Sequence, residues 1–226
     1  LSSAKPPSHM TPQSLSAVAV TDMGIILGHN DGRIEVLSES GVEFSGKTEA
    51  SIETILSGGK CAAILDGDGE VRWMDEDKNV HAIEGFGESE IVRVNSKSIA
   101  ASGVFGTLWI ANEGEIVHTS SPSEGSIESI SCMEFRPSGI LVVSRRSLDG
   151  IDDHVPENRV ECWNISSGRI HCSETDHPLS SMTPTQSGVI VGDVMGGVTQ
   201  IEISGQPSDR IQLDDQRIST LSRSDE

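Results

Sequence analysis

Short runs of alternating apolar and polar residues recur along most of the chain, and turn-forming residues separate them. The clearest run is Arg159–Gly168. Its period of two would place Val160 and Cys162 on one side of a strand and Trp163 on the other. No apolar pattern with the 3.6-residue period of a helix extends over helical length. The sequence therefore predicts a succession of short β-strands.

The predicted strands group into five units of four strands each, joined by turns such as Asp31-Gly32, which favours a type I′ hairpin. The units fall near residues 15–48, 50–86, 88–121, 126–176 and 178–216. One position in the third strand recurs in every unit: Leu37, Met74, Ala111, Trp163 and Ile201. The repeat is about 40 residues long, apart from one longer interval, where we place an insertion at 145–157.

A four-stranded unit of this length cannot bury both faces of its sheet alone, so neighbouring units must stack on it. Units that repeat at this period are typical of β-propellers. We therefore expect an all-β protein with one propeller domain at 14–226, and we set 1–13 apart as a tag or disordered leader. Arg217–Leu221 resembles the first strand of a further unit. We favour five blades that close edge to edge over an open ring.

Several segments resemble parts of the WD40 repeat. Val160–Asn164, followed by the turn at Gly168, resembles its third strand and turn, with Asn where that family usually has Asp. Gly28–Gly32 and Ser102–Gly106 resemble the Gly-rich turn that precedes this strand. The resemblance extends over roughly Leu15–Leu213, and it makes the expected fold a single β-propeller of about five four-stranded WD40-like blades.

The resemblance implies a rigid platform whose rims or channel mouth bind other proteins, as a non-catalytic subunit of a larger complex. Two alternatives stay open. One is a five-bladed propeller that binds a small ligand or carbohydrate at its channel, like a lectin or glycosidase, which would need convergent polar and aromatic residues at one mouth. The other is an open propeller that a partner chain completes.

The composition restricts the partners. The chain has 35 acidic and 16 basic residues, a net charge of −19 and a pI of about 4.6. Such a surface repels phosphate backbones and attracts basic protein surfaces, so we expect protein partners and no nucleic acid. Aromatic residues make up 3% of the chain, which argues against a surface that stacks bases or sugars. Ordinary solubility and adaptation to high salt both explain the acidity.

The cysteines and the apolar runs bear on the compartment. No two cysteines have C-x-x-C spacing, so we expect buried free thiols and an intracellular, cytoplasmic or nuclear protein. The four are Cys61, Cys132, Cys162 and Cys172. No run approaches the ~18 apolar residues of a membrane span, and no signal peptide is visible. We expect the three tryptophans to pack between blades: Trp73, Trp109 and Trp163.

Few residues suggest chemistry. No nucleophile elbow, P-loop or dinucleotide fingerprint is present, so we expect no enzyme activity, cofactor or metal. Asp66–Glu70 is similar to a calcium loop, but an acidic hairpin turn is the better interpretation. The insertion gathers acidic residues beside a basic pair, and we select it as the candidate partner-binding site. Its residues are Arg145, Arg146, Asp149, Asp152, Asp153 and His154.

Overall fold

The computed structural model describes residues 14–122, 124–148, 157–202, 208–213 and 216–221. This part of the chain forms five four-stranded antiparallel sheets, and it contains no helix. The predicted all-β propeller of five blades is confirmed. The predicted leader at 1–13 lies outside the described residues. No helix in the described ranges has the length and apolar character needed to cross a membrane.

Each blade is a meander whose strands pair in chain order. The first blade comprises β1 (Leu15–Thr21), β2 (Gly24–His29), β3 (Arg33–Ser38) and β4 (Gly41–Lys47). The second comprises β5 (Ile52–Ser57), β6 (Ala62–Asp66), β7 (Val71–Met74) and β8 (Val80–Ala82). The third comprises β9 (Ser89–Asn95), β10 (Ser98–Gly103), β11 (Leu108–Asn112) and β12 (Glu115–Ser120). The fourth comprises β13 (Glu128–Phe135), β14 (Leu141–Ser147), β15 (Asn158–Asn164) and β16 (Gly168–Glu174). The fifth comprises β17 (Leu179–Pro184), β18 (Gly188–Asp193), β19 (Gly197–Glu202) and β20 (Ile211–Gln212).

The turn before β3 differs from the prediction. The Gly32 amide donates a hydrogen bond of 3.0 Å to the His29 carbonyl, so the turn spans four residues and ends at Gly32. Gly32 has a φ of 81°, and Asp31 does not have a positive φ. The predicted type I′ turn is therefore wrong, because that turn requires a positive φ at both central residues. Glycine is still required at position 32, where the backbone adopts the left-handed conformation.

Four apolar clusters hold the blades together, one between each pair of consecutive blades. Trp163 is 7% exposed and packs with Leu108 and Ile110 of the third blade. Trp73 packs against Ile99 of the third blade, and Trp109 joins the same cluster. The predicted packing of the tryptophans between blades is confirmed. Burial of such clusters is the main force that stacks propeller blades on one another.

The insertion is shorter than predicted. Arg145 pairs with Arg159 and Arg146 with Asn158, so β14 and β15 continue their ladder beyond the predicted strand ends. The Ser147 amide then donates to the Glu157 carbonyl at 2.7 Å. Residues 145–147 are thus strand residues rather than loop residues. The charged side chains suggested a loop, but partners across the sheet neutralise them, as described below.

The expected closure of five blades into a ring is wrong for the described residues. The first strands of consecutive blades pack on one another, but no comparable packing joins β17 to β1. The recurring third-strand position shows the consequence. It is at most 7% exposed in Met74, Ala111, Trp163 and Ile201, whereas Leu37 of the first blade is 39% exposed. The described blades therefore form an open arc, and nothing in it covers the outer face of the first blade.

The segment 216–221 does not form a ladder, contrary to the predicted sixth first strand. It nevertheless lies on the fifth blade. The Ile218 amide donates to the Asp193 carbonyl at 3.1 Å, and the Ser180 hydroxyl donates to the Ile218 carbonyl at 2.6 Å. A Cβ atom added to Gly192 would lie 2.5 Å from the Ile218 side chain. In the same way, a Cβ atom added to Gly28 of the first blade would lie 2.5 Å from the Ile52 side chain. Ile218 thus packs on the fifth blade at the position equivalent to the one where Ile52, the first residue of β5, packs on the first blade.

Candidate protein-interaction surfaces

A buried cluster of arginine and glutamate side chains lies on β13, β14 and β15, near the ends of β14 and β15 that flank the insertion. Glu161, fully buried, accepts hydrogen bonds from Arg145 Nε at 2.9 Å and from Arg159 Nε at 3.0 Å. It also accepts from Arg169 Nη1 at 3.2 Å and from the Trp163 indole N–H at 3.1 Å. Burial by itself would raise the pKa of Glu161, but the charges of Arg145 and Arg159 outweigh it and hold that pKa below its usual range.

A second acid completes the cluster. Both carboxylate oxygens of Glu128 accept from Arg159 Nη2 at 2.8 Å, and one accepts from Arg145 Nη1 at 3.2 Å. Arg145 also donates to the carbonyl of Gly106, in the β10–β11 turn, and to the Ser120 carbonyl at 3.3 Å. The cluster therefore ties the third blade to the fourth, directly under the turns of one rim. Charge-assisted bonds of this kind fix geometry more firmly than neutral ones.

Four large apolar side chains are exposed on this rim. Val104 and Phe105 lie in the β10–β11 turn and are 45% and 69% exposed; Ile127 and Leu148 are 49% and 54% exposed. The Leu148 amide donates to the Ile127 carbonyl at 2.8 Å, and the cluster holds the turn at Gly106 beside Glu128. We call these four residues the insertion-rim patch. Exposed apolar patches with polar surroundings are typical of protein-binding sites.

The structure separates the predicted site residues. The Arg145 side chain is 1% exposed and belongs to the buried cluster, so its guanidinium does not lie on the described surface. Arg146 is on the surface, with its side chain 46% exposed and Nη2 3.9 Å from a Glu157 carboxylate oxygen. The other four predicted residues lie outside the described residues: Asp149, Asp152, Asp153 and His154. In the ranges that are described, no group of His, Cys, Asp and Glu side chains could hold a metal ion.

The insertion-rim patch was not selected from the sequence. Val104 and Phe105 stand between Gly103 and Gly106, in a segment predicted as a turn. An apolar pair inside a predicted turn was the available signal, because turns are normally polar and exposed. Leu148 carried no comparable signal, since it lies within the predicted insertion, where no strand pattern assigns it to a face.

A cavity of about 370 Å³ opens on the opposite rim, between the second and third blades. The buried Trp73 forms part of its wall, and a hydrogen-bonded pair and an ion pair border it. His81 Nε2 lies 2.8 Å from Asp75 Oδ2, and Lys97 Nζ lies 2.7 Å from Glu113 Oε1. Hydrogen bonding to Glu113 raises the pKa of Lys97, so this lysine remains charged. The cavity is acidic overall, because five carboxylates line it beside two lysines and one histidine.

The first strands of the second to fifth blades line an axial cavity of about 550 Å³. Arg93 and Glu134 form an ion pair there, with Nε and Oε2 2.8 Å apart. The described residues that line this cavity include no aromatic side chain. A carbohydrate site at the channel needs such side chains, so the described lining does not support that alternative.

The acidic loop at Asp66–Glu70 and the cysteines, which the sequence raised as possible sites of chemistry, have structural roles instead. Asp66 Oδ1 accepts the backbone amides of Asp68 and Glu70 at 3.2 and 3.0 Å, which supports the hairpin-turn interpretation of this acidic loop. Three of the four cysteines are buried, and the prediction of buried thiols is wrong only for Cys172, which is exposed. Burial raises the pKa of the Cys61 and Cys132 thiols to about 11, so neither is a nucleophile at neutral pH.

The fold defined by these blades is the WD40-like β-propeller. No protein-family model matches the sequence, and no curated protein is significantly similar to it. Solved structures share the fold at low identity. The computationally designed Ika8 protein is 13% identical with a TM-score of 0.65, and the match covers 94% of this chain and 66% of Ika8.

Sqt1 from Saccharomyces cerevisiae is 14% identical with a TM-score of 0.61, over 90% of this chain and 64% of Sqt1. A chain of the mitotic checkpoint complex is 11% identical with a TM-score of 0.60, over 94% of this chain and 69% of that chain. The chain thus spans about two thirds of the length of these structures. At such identities the likeness shows the fold alone.

Proposed function

We propose that this protein is a non-catalytic interaction scaffold, a subunit of a larger protein complex, and that it binds a partner protein at the insertion-rim patch. The observation that carries the proposal is the exposure of Val104, Phe105, Ile127 and Leu148 on a rim that buried ion pairs hold in place. A rigid apolar patch loses little conformational entropy on binding, which favours affinity.

Charge determines the kind of partner. The net charge of −19 favours proteins with basic surfaces and disfavours nucleic acid. Arg146 and four insertion residues border the patch in sequence: Asp149, Asp152, Asp153 and His154. A partner segment with apolar anchors and flanking lysines or arginines would complement both features. One similar structure is a chain of the mitotic checkpoint complex, so this fold serves within a protein assembly elsewhere.

A capture experiment tests the proposal. The immobilised wild-type protein is exposed to an extract of its native source, and bound proteins are identified by mass spectrometry. Phe105→Glu should abolish specific capture, because a charge at the centre of the patch would have to be buried without a partner. Ile211→Glu is the matched control, since Ile211 is 61% exposed on the fifth blade and lies outside the patch. Equal capture by wild type and Phe105→Glu would contradict the proposed site.

A further inference from the structure

The outer face of the first blade is an apolar sheet surface. Strand pairing places its members on one side: Val18 opposite Leu27, Val20 opposite Ile25, and Leu37 between Ile25 and Val42. Phe44 follows two residues after Val42, on the same side. We call this surface the first-blade face, and it consists of Val18, Val20, Ile25, Leu27, Leu37, Val42 and Phe44.

Three of these positions are buried in the second blade, which packs on the first. Ile55 pairs with Ile64 in the second blade as Val18 pairs with Leu27 in the first, and Met74 corresponds to Leu37. Ile55, Ile64 and Met74 are 7%, 0% and 0% exposed. Val18, at the position of Ile55, is 51% exposed. The part of the first-blade face formed by Val18, Leu27 and Leu37 therefore has the chemistry of a buried interface between sheets, but nothing in the described residues covers it.

The size of the face suits a dimer. Val20, Val42 and Phe44 are 71%, 59% and 65% exposed. With the other members, the exposed apolar area is roughly 500 Å², near the upper end of what monomers tolerate. Two copies that met through this face would bury about 1,000 Å², the threshold for a specific protein interface.

Charge does not oppose this contact locally. The charged side chains on and beside the face include two basic residues, Arg33 and Lys47, and two acids: Arg33 Nη1 lies 3.1 Å from Glu35 Oε1, and Arg33 Nε lies 3.2 Å from Asp31 Oδ2. His29 Nε2 lies 3.1 Å from the other carboxylate oxygen of Glu35. The face is therefore nearly neutral, although the whole chain carries −19. Repulsion between two copies would act mainly between their other surfaces, where salt screens it.

The other end of the arc does not offer an equivalent surface. The outer face of the fifth blade mixes Ser181, Thr183 and Gln200 with Ile190 and Val198. The segment that contains Ile218 also packs against it. Polar outer faces are typical of terminal repeats that stay exposed. The two ends are therefore poorly matched for head-to-tail stacking, and contact between two identical first-blade faces is favoured, as in the twofold interfaces of most homodimers.

We infer that two copies of this chain associate through their first-blade faces into a twofold-symmetric dimer. The interface is distinct from the insertion-rim patch, so dimerisation and partner binding are independent. The dimer leaves both insertion rims and both axial cavities accessible from the far side of each arc. A partner chain that completes the open propeller would compete with the second copy for the same face.

Sedimentation velocity of the full chain tests this inference. We expect a dimer at micromolar concentration, and its association should strengthen from 0.05 to 1 M sodium chloride as repulsion is screened. Phe44→Glu should weaken dimerisation about 100-fold, because it places two uncompensated charges in the interface. Phe105→Glu is the matched control. This phenylalanine is equally exposed, at 69%, but it lies on the rim, and the variant should dimerise like the wild type.

Deuterium exchange at high and low protein concentration provides a second readout that needs no variant. Concentration-dependent protection should be confined to β1–β4. A monomer at every salt concentration, a dimer unaffected by Phe44→Glu, or a dimer lost in Phe105→Glu would overturn the inference. So would a first-blade face covered by a different polypeptide in the complex purified from the native source. The two proposals fail separately, since Phe44→Glu should retain partner capture and Phe105→Glu should retain the dimer.

Discussion

Glu161 is the side chain on which the buried charge cluster depends most. Its carboxylate is fully buried, and it is shared by Arg145, Arg159 and Arg169. Glu161→Gln keeps the shape of the side chain and removes its charge. Arg145 and Arg159 would then share the single carboxylate of Glu128. Since Arg145 is 1% exposed, water cannot replace the lost partner.

We expect this substitution to lower the free energy of unfolding by about 3–5 kcal/mol, the usual consequence of removing one member of a buried ion pair. The value is a large fraction of the ~5–15 kcal/mol that stabilises a typical domain. Urea unfolding at pH 7, followed by tryptophan fluorescence, measures it. Glu70→Gln is the control, because Glu70 bonds Arg72 at 2.7 Å but is 64% exposed. That variant should lose less than about 1 kcal/mol.

The pH dependence follows from the direction of the pKa shift. The pKa of Glu161 is lower in the folded protein than its ordinary value of 4.5. Its contribution to stability is therefore fully present above that ordinary value and is lost as the pH falls through the folded pKa. The difference between wild type and Glu161→Gln should shrink below pH 4.5. A loss under 1 kcal/mol at pH 7, or a difference that grows in acid, would refute the role given to this carboxylate.

Three other changes have defined outcomes. Trp163→Ala should cost about 3–5 kcal/mol in urea unfolding, because it leaves a cavity between the third and fourth blades; a loss below 1 kcal/mol would contradict its packing there. Replacing 149–156 with Asn-Gly should leave the thermal midpoint nearly unchanged, since loop closure depends only weakly on length, and a variant that does not fold would show that this segment is needed for packing. Deleting 216–226 should cost about 2–3 kcal/mol, because Ile218 loses its apolar contact and its hydrogen bonds; an unchanged melt would show that this segment is dispensable.

The repeat could be derived from the sequence because the blades are local meanders. The run Arg159–Gly168, predicted as a strand that ends in a turn, contains most of β15, up to Asn164, and the turn before β16, since alternation and the glycine define them. The ends of β14 and β15 were missed for a physical reason. Arg145 and Arg159 are buried strand residues only because Glu128 and Glu161 neutralise them, and no local pattern reveals which charges will be paired.

Closure of the ring could not be predicted either. The apolar alternation of β1 is the same whether or not a blade covers Val18 and Val20. The local sequence pattern shows that one face of a strand is apolar, but it does not show which element packs against that face. The surface proposed for partner binding could be located only in part from the sequence. The insertion was correctly placed between the second and third strands of the fourth blade, but the apolar patch beside it depends on the approach of Phe105 and Leu148 from different blades.

In the described residues the blades form an open arc whose first blade nothing covers, and thiol labelling can detect this exposure. Val18→Cys and Ile55→Cys place a thiol at equivalent positions of the first and second blades. Each is made in a Cys172→Ser background, since Cys172 is the exposed native thiol. In dilute solution, below the concentration at which copies associate, Val18→Cys should react with a maleimide reagent many-fold faster than Ile55→Cys. The thiol at position 55 is buried and becomes accessible only when the protein unfolds locally or globally. Equal protection of the two positions would show that the first-blade face is covered and that the first blade does not end an open arc.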